Sequence, residues 1–129
     1  MISKTKNILI AGGGTGGHLF PAFAIGKKLE KNGFNVNYIG SKHGIEKNYK
    51  NELKDKLYLL NIKGINRSLT FKSMLSNLFF PFKCIIAYIH SIIIIKKMNP
   101  SIVIGTGGYS SGIPLLAAIH LNIKSVIHE

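Results

Sequence analysis

At 129 residues, 46% of them hydrophobic, the chain is long enough to bury one domain's core, which argues against intrinsic disorder. Seventeen basic residues against five acidic ones give a net charge of +12, and no Asp or Glu falls between Lys56 and His128, so an anionic partner is expected: nucleic acid, an acidic membrane surface or a phosphorylated substrate. Sixteen of the basic residues are Lys, with Arg67 alone, and no aromatic-interleaved basic stretch or RNA-binding signature occurs, which argues against nucleic acid, while the single Cys84 leaves no disulfide framework or thiolate metal site and fits a reducing cytoplasm.

Met1 to Lys6 is polar and leads into an apolar run too short for a signal peptide's core. Asn7 to Ala11 reads as a buried strand, bounded by glycines at 12, 13, 14, 16 and 17. His18 to Asn32 has helical spacing, with Pro21 suited to a first turn and Gly33 as its stop. Phe34 to Ile39 is a second strand closed by Gly40, Ile45 to Leu53 a short charged helix, Leu57 to Ile62 a third strand and Gly64 to Ser68 a loop. Phe71 to Met98 is apolar and helical, divided at Pro81; Ser101 to Ile104 is a fourth strand, Gly112 to Leu121 a helix and Lys124 to His128 a fifth strand. This repeated βαβ order predicts an α/β fold of the Rossmann type, a parallel sheet with helices on both faces and right-handed crossovers. Ligands of such sheets sit at the carboxyl ends of the strands, here the loops after Ala11, Ile39, Ile104 and His128.

A weak internal repeat sharpens that expectation. Strand Ile8 to Ala11, its glycine loop and Pro21 are echoed by strand Ile102 to Ile104, Gly105-Thr106-Gly107-Gly108-Tyr109-Ser110-Ser111-Gly112 and Pro114. Gly12, Gly14 and Gly17 satisfy Gly-x-Gly-x-x-Gly between a strand and a helix, a context in which the backbone approaches a phosphate and helix amides face it. A dinucleotide site also needs an acid at the end of the second strand; Gly40-Ser41-Lys42 stands there and the nearest acid is Glu46, which disfavours NAD and leaves an NADP-binding oxidoreductase open. A second glycine loop is more than a dinucleotide domain needs, and two such loops on one sheet edge suit a diphosphate-bridged substrate. The plainer alternative is that the glycines only make tight turns.

His18 follows Gly17 in the first helical turn, where the helix end favours neutral imidazole, so it is either a general base or a simple phosphate ligand. His43, His90 and His120 have no partner pattern, and His128 and Glu129 end the fifth strand facing the same crevice. Asp55 is the one Asp, so an Asp-x-Asp metal clamp is impossible; no metal or organic cofactor is implied.

Gly13-Gly14-Thr15-Gly16-Gly17-His18, Gly107-Gly108-Tyr109-Ser110-Ser111-Gly112 and His128-Glu129 resemble, in order and at fitting intervals, three signatures of the MurG family. The resemblance runs from Ile8 to the last residue and implies the amino-terminal half, residues 1–129, of a two-domain GT-B glycosyltransferase with the donor-binding domain lying beyond it. It implies transfer of N-acetylglucosamine from UDP-N-acetylglucosamine to the 4-hydroxyl of N-acetylmuramic acid in undecaprenyl-diphosphate-linked lipid I, giving lipid II at the cytoplasmic face of the bacterial membrane. Carried over by position, Gly14, Thr15, Gly16 and Gly17 meet the phosphate region, His18 is the base candidate, and Gly108, Tyr109, Ser111 and Gly112 form the acceptor loop. Glu129 belongs to a His-Glu-Gln-Asn signature whose last two members are missing, so a fragment inactive alone is expected, or a module active only with a separate donor-binding partner.

Between Leu78 and Ile95 apolar residues occur almost all round the helix, broken by Lys83, His90 and Ser91, which argues against a membrane span. A buried core helix is one alternative. An interfacial membrane helix is the other, because Leu78, Phe82, Ile85 and Ile89 form a stripe beyond the core-facing one, with Lys72, Lys83, Lys96 and Lys97 near an anionic surface. The family's lipid-linked acceptor agrees with the second, a peripheral protein of the inner leaflet.

Overall fold

The computed structural model describes residues 5–65 and 67–128. Strand β1 (Asn7–Ala11) runs into helix α1 (Gly16–Lys31), followed by β2 (Asn35–Ser41). A 3-10 turn at Ile45–Tyr49, helix α2 (Lys50–Leu53) and a second 3-10 turn at Lys54–Lys56 lead to β3 (Leu57–Leu60). Helices α3 (Phe71–Leu78) and α4 (Phe80–Met98) precede β4 (Ile102–Gly105), α5 (Tyr109–His120) and β5 (Lys124–Ile127). The five strands form one parallel sheet in the order β3-β2-β1-β4-β5.

The burial of the sheet follows from the sequence pattern. Strands buried on both faces read as continuous apolar runs, and alternate residues of β1 serve two cores. Leu9 and Ala11 pack with Ile39, Val103, Ala87, Ile95 and Ala117 under α4 and α5. Ile8 and Ile10 pack with Ala22, Val36, Tyr38 and Leu57 under α1. Leu9, Ile10, Leu19, Ile39, Leu57 and Leu60 are fully enclosed, each stabilising the fold by about 1.5–3 kcal/mol relative to exposure.

The two helices that follow glycine loops begin earlier than the spacing predicts. Helix α1 starts at Gly16 and α5 at Tyr109, so Pro21 and Pro114 each occupy the sixth helical position instead of a first turn. Each proline leaves the carbonyl four residues back, Gly17 and Ser110, without an intrahelical donor. The repeat between the two halves therefore extends to this shared interruption. Gly26 sits inside α1 for a packing reason, since a Cβ there would overlap the Tyr38 hydroxyl.

Helices α3 and α4 meet at Phe79 with a bend of 43°, and Pro81 occupies the opening turn of α4, as its missing N–H allows. Ala87, Ser91, Ile95 and Met98 form the buried face of α4. Leu78, Phe82, Ile85 and Ile89 are 66%, 62%, 56% and 50% exposed, so the buried-core alternative for this stripe is overturned. Phe71, Met74, Leu75, Phe79, Ile86 and Ile93 extend the exposed apolar surface. No single helix among the described residues is long and apolar enough to cross a membrane; α3 and α4 reach that length and composition only as the bent pair.

Candidate functional site

Chain order reverses between β1 and β4: β1 leads outward to β2 and β3, whereas β4 leads the other way to β5. In parallel sheets this switch point is where the loops part and a ligand crevice opens. Ala11 pairs with Gly105 at the ends of these two strands, so both glycine loops leave the sheet side by side.

Each loop carries two consecutive glycines at positive φ, Gly13 and Gly14 in one, Gly107 and Gly108 in the other. Those angles are strained for any other residue, and a Cβ at Gly108 would also strike the Gly13 carbonyl. A Cβ at Gly12 would overlap the Thr106 hydroxyl. The backbones of the two loops therefore touch.

His18 is wedged between them. Its Nδ1 lies 3.2 Å from the Thr106 carbonyl, and the Thr106 hydroxyl donates to the His18 carbonyl at 2.8 Å. A carbonyl only accepts, so Nδ1 carries the hydrogen and, in the neutral ring, the lone pair is on Nε2. The ring packs against Gly107 and Gly108, where a Cβ would crowd it. The second loop thus fixes both tautomer and orientation of the histidine on the first.

Thr15 caps α1 without a side-chain bond, and the amides of Gly16 and Gly17 lie in the first turn, where no intrahelical acceptor exists. Gly16 is half-buried and Thr15 and Gly17 are exposed, so these donors reach solvent at the switch point. At α5, Gly108 is the cap, and the Ser111 amide and hydroxyl both donate to its carbonyl, at 3.2 and 3.1 Å. Ser111 is buried and shapes the second glycine loop from beneath, whereas Gly112 is exposed with open space beside its Cα. The Tyr109 ring reaches over Gly14 and Gly64, so its contacts tie the second loop to the first and to the segment after β3. His128 is exposed, and its amide donates to the Gly105 carbonyl at 2.8 Å; Glu129 lies outside the described residues.

Two contributors were not singled out from the sequence. Thr106 is one. Glu46 is the other: it is fully buried, and its carboxylate accepts from the Gly14 amide at 2.8 Å and the Ser41 amide at 2.5 Å. Glycines at 13, 40 and 44 leave the space it fills. Gly14 therefore meets a substrate only through its Cα or carbonyl, because its amide is engaged. The signal available was position: Glu46 is one of five acids in the chain and lies just past the end of β2.

A cavity of about 890 Å³ lies elsewhere, between α1 and the segment from Tyr49 to Lys56, floored by Phe20, Phe23, Tyr38 and Tyr49. Phe20, at one end of it, also packs beside Gly16.

The chain matches the family model described as the glycosyltransferase family 28 N-terminal domain over residues 8–129. It is 42% identical over 126 residues to a UDP-N-acetylglucosamine--N-acetylmuramyl-(pentapeptide) pyrophosphoryl-undecaprenol N-acetylglucosamine transferase of Prosthecochloris aestuarii, covering 95% of this chain and 34% of that protein. A transferase of the same name from Syntrophus aciditrophicus is 41% identical over 127 residues, covering 97% and 34%. Among solved structures, MurG of Acinetobacter baumannii superposes with a TM-score of 0.75 at 30% identity, covering 96% of this chain and 35% of that one. The chain spans about a third of the length of the curated relatives it matches.

Proposed function

The chain belongs to the family of glycosyltransferase family 28 N-terminal domains, and on that premise we propose that it is the acceptor-side half of an inverting N-acetylglucosaminyltransferase of peptidoglycan synthesis. Its substrates in this reading are those in the relatives' names: UDP-N-acetylglucosamine as donor and the undecaprenyl-diphosphate-linked N-acetylmuramyl pentapeptide, lipid I, as acceptor. The observation that carries the reading is the switch point, where two glycine loops meet with His18 held between them.

Inverting transfer needs a base on the acceptor hydroxyl, stabilisation of an oxocarbenium-like anomeric centre and a stabilised leaving group. With Nδ1–H donating to the Thr106 carbonyl, Nε2 of His18 is the atom that accepts the proton of the 4-hydroxyl. The freed oxygen attacks the anomeric carbon of N-acetylglucosamine as the bond to UDP breaks. The first-turn amides of α1 and α5, with their helix dipoles, face the acceptor diphosphate, and Tyr109 and Gly112 border the acceptor sugar. The uridine pocket and the leaving-group contacts belong to a second, donor-binding half.

In this reading the domain works as a peripheral protein at the cytoplasmic face of the cell membrane, where it would meet a lipid-linked acceptor. The exposed stripe Leu78, Phe82, Ile85 and Ile89, with Lys72 and Lys83 beside it, supports insertion into an anionic leaflet. Apolar contact and lysine attraction add, the latter by about 1 kcal/mol per residue near the surface.

The test is transfer of labelled N-acetylglucosamine to a lipid I analogue by this domain joined to a donor-binding half. The proposal expects label on the muramyl 4-oxygen. Turnover of the donor with water alone, or transfer to a different hydroxyl, would overturn it.

A further inference from the structure

A small cavity with basic side chains on its wall lies beside the switch point, and it does not depend on the transferase reading. A walled cavity of about 80 Å³ opens between the ends of β2 and β3 and the junction of α3 and α4. That volume holds several waters or one compact polyatomic group, and is too small for a nucleotide or a sugar diphosphate. His43, Asn61, Lys63, Ser76 and Lys83 contribute polar groups to its wall, and no carboxylate lines it.

Charge is the informative feature. Neither Lys63 nor Lys83 has an ion-pair partner among the described residues, where the one salt bridge joins Lys56 to Glu30. Three elements thus point basic side chains at one enclosure, His43 from the loop after β2, Lys63 from the loop after β3 and Lys83 from the first turn of α4. Like charges gathered round a small cavity repel, and an anion relieves that repulsion while low-dielectric walls concentrate the field. His43 is already oriented: its amide donates to the Ser41 hydroxyl at 3.0 Å and its Nε2 bonds the Asn61 side chain at 2.9 Å. The Asn61 oxygen only accepts, so Nε2 carries the hydrogen and the ring helps to wall the cavity while the two lysines supply the donors.

We propose that this cavity is a binding site for a single phosphate-sized oxyanion, held by Lys63 and Lys83 against a wall formed by the His43–Asn61 pair. Its position gives it two possible sources. Phe80 and Lys83 join it to the exposed apolar stripe, where a lipid headgroup phosphate would lie, and Gly64 joins it to Tyr109, towards soluble phosphate groups at the switch point.

The experiment is a titration of the full chain with inorganic phosphate, followed by amide NMR against sodium chloride at matched ionic strength. The proposal expects saturable shifts confined to residues around His43, Asn61, Gly64 and Lys83, with affinity lowered at least tenfold in a Lys63→Gln, Lys83→Gln double variant. Both lysines are exposed, so the variant keeps its fold, which a thermal melt verifies. A Lys27→Gln, Lys31→Gln variant of equal charge, remote from the cavity, keeps the wild-type response. Shifts that chloride reproduces, that do not saturate, or that survive in the Lys63, Lys83 double variant overturn the proposal. Vesicles of phosphatidylglycerol and of phosphatidylcholine then assign the source. Competition between phosphate and phosphatidylglycerol vesicles identifies a headgroup, whereas saturable phosphate binding without such competition identifies a soluble anion; both outcomes support the site.

Discussion

His18 and Thr106, 88 residues apart in the chain, hold each other through two contacts: Nδ1 against the Thr106 carbonyl at 3.2 Å, and the Thr106 hydroxyl to the His18 carbonyl at 2.8 Å. The hydroxyl bond joins α1 to the loop after β4, and Thr106 is almost fully buried. Thr106→Val keeps the volume and removes the donor, leaving a carbonyl without its partner. The expected loss is about 1–3 kcal/mol, with altered His18 ring resonances. A thermal melt and an imidazole NMR spectrum check both parts, and unchanged ring shifts would show that Thr106 does not set the histidine.

Among the described residues Glu46 is the fully buried carboxylate, and it accepts from the Gly14 and Ser41 amides. Glu46→Ala strands both donors and opens a void, so a loss of about 3 kcal/mol or more is expected, a fall in Tm on the order of 10 °C. Glu46→Gln, which retains one acceptor oxygen, falls between the two. An Ala variant melting within two or three degrees of wild type would mean that the carboxylate does not hold the loops.

These two residues also mark where sequence reading stops. The strands, the parallel sheet and the matching glycine loops are legible because apolar runs and glycine clusters are local patterns, and β1–α1 and β4–α5 repeat them. Glu46 is not legible in the same way: its partner Gly14 is 32 residues away, and only the packing of β1 beside β2 brings them together. Thr106 likewise gains its role from the pairing of β1 with β4. Pro21 misleads for a local reason, since proline is common in a first turn, yet α1 begins two residues before His18 and takes the proline inside. The stripe on α4 is visible in the sequence as apolar side chains, but its exposure is decided by which face the sheet covers.

Burial, with Glu30 adding in the same direction, raises the Tyr38 phenol from 10.0 to about 12. Its hydroxyl packs against Gly26 and its ring meets Phe23 edge-on at 5.3 Å. Above pH 10 the unfolded chain releases this proton before the folded one does, so the folded state holds more protons and stability falls as pH rises from 10 towards 12. Tyr38→Phe removes that contribution while keeping the ring contact. Denaturant unfolding at pH 9 and pH 11 should show a smaller loss in the Phe variant than in wild type; equal losses would contradict the assignment.

Phe82 and Ile85 are 62% and 56% exposed. Changing both to Ser is therefore expected to shift stability by no more than about 0.5 kcal/mol each. Binding to anionic vesicles has two parts, a lysine attraction that salt screens and an apolar insertion that it does not. Moderate salt should weaken wild-type binding and abolish that of the double variant. Co-sedimentation beside a thermal melt separates the outcomes: salt-resistant binding by a folded double variant would remove this stripe as the membrane contact.

The proposed role of His18 as the base rests on its fixed tautomer and on the Nε2 lone pair at the switch point, and turnover tests it most directly. In an enzyme that joins this domain to a donor-binding half, steady-state kinetics of wild type and His18→Ala should differ by about 10²–10⁴-fold in kcat, with KM for UDP-N-acetylglucosamine little changed, because a base acts in the transition state. Equal kcat in the folded His18→Ala protein would contradict the account.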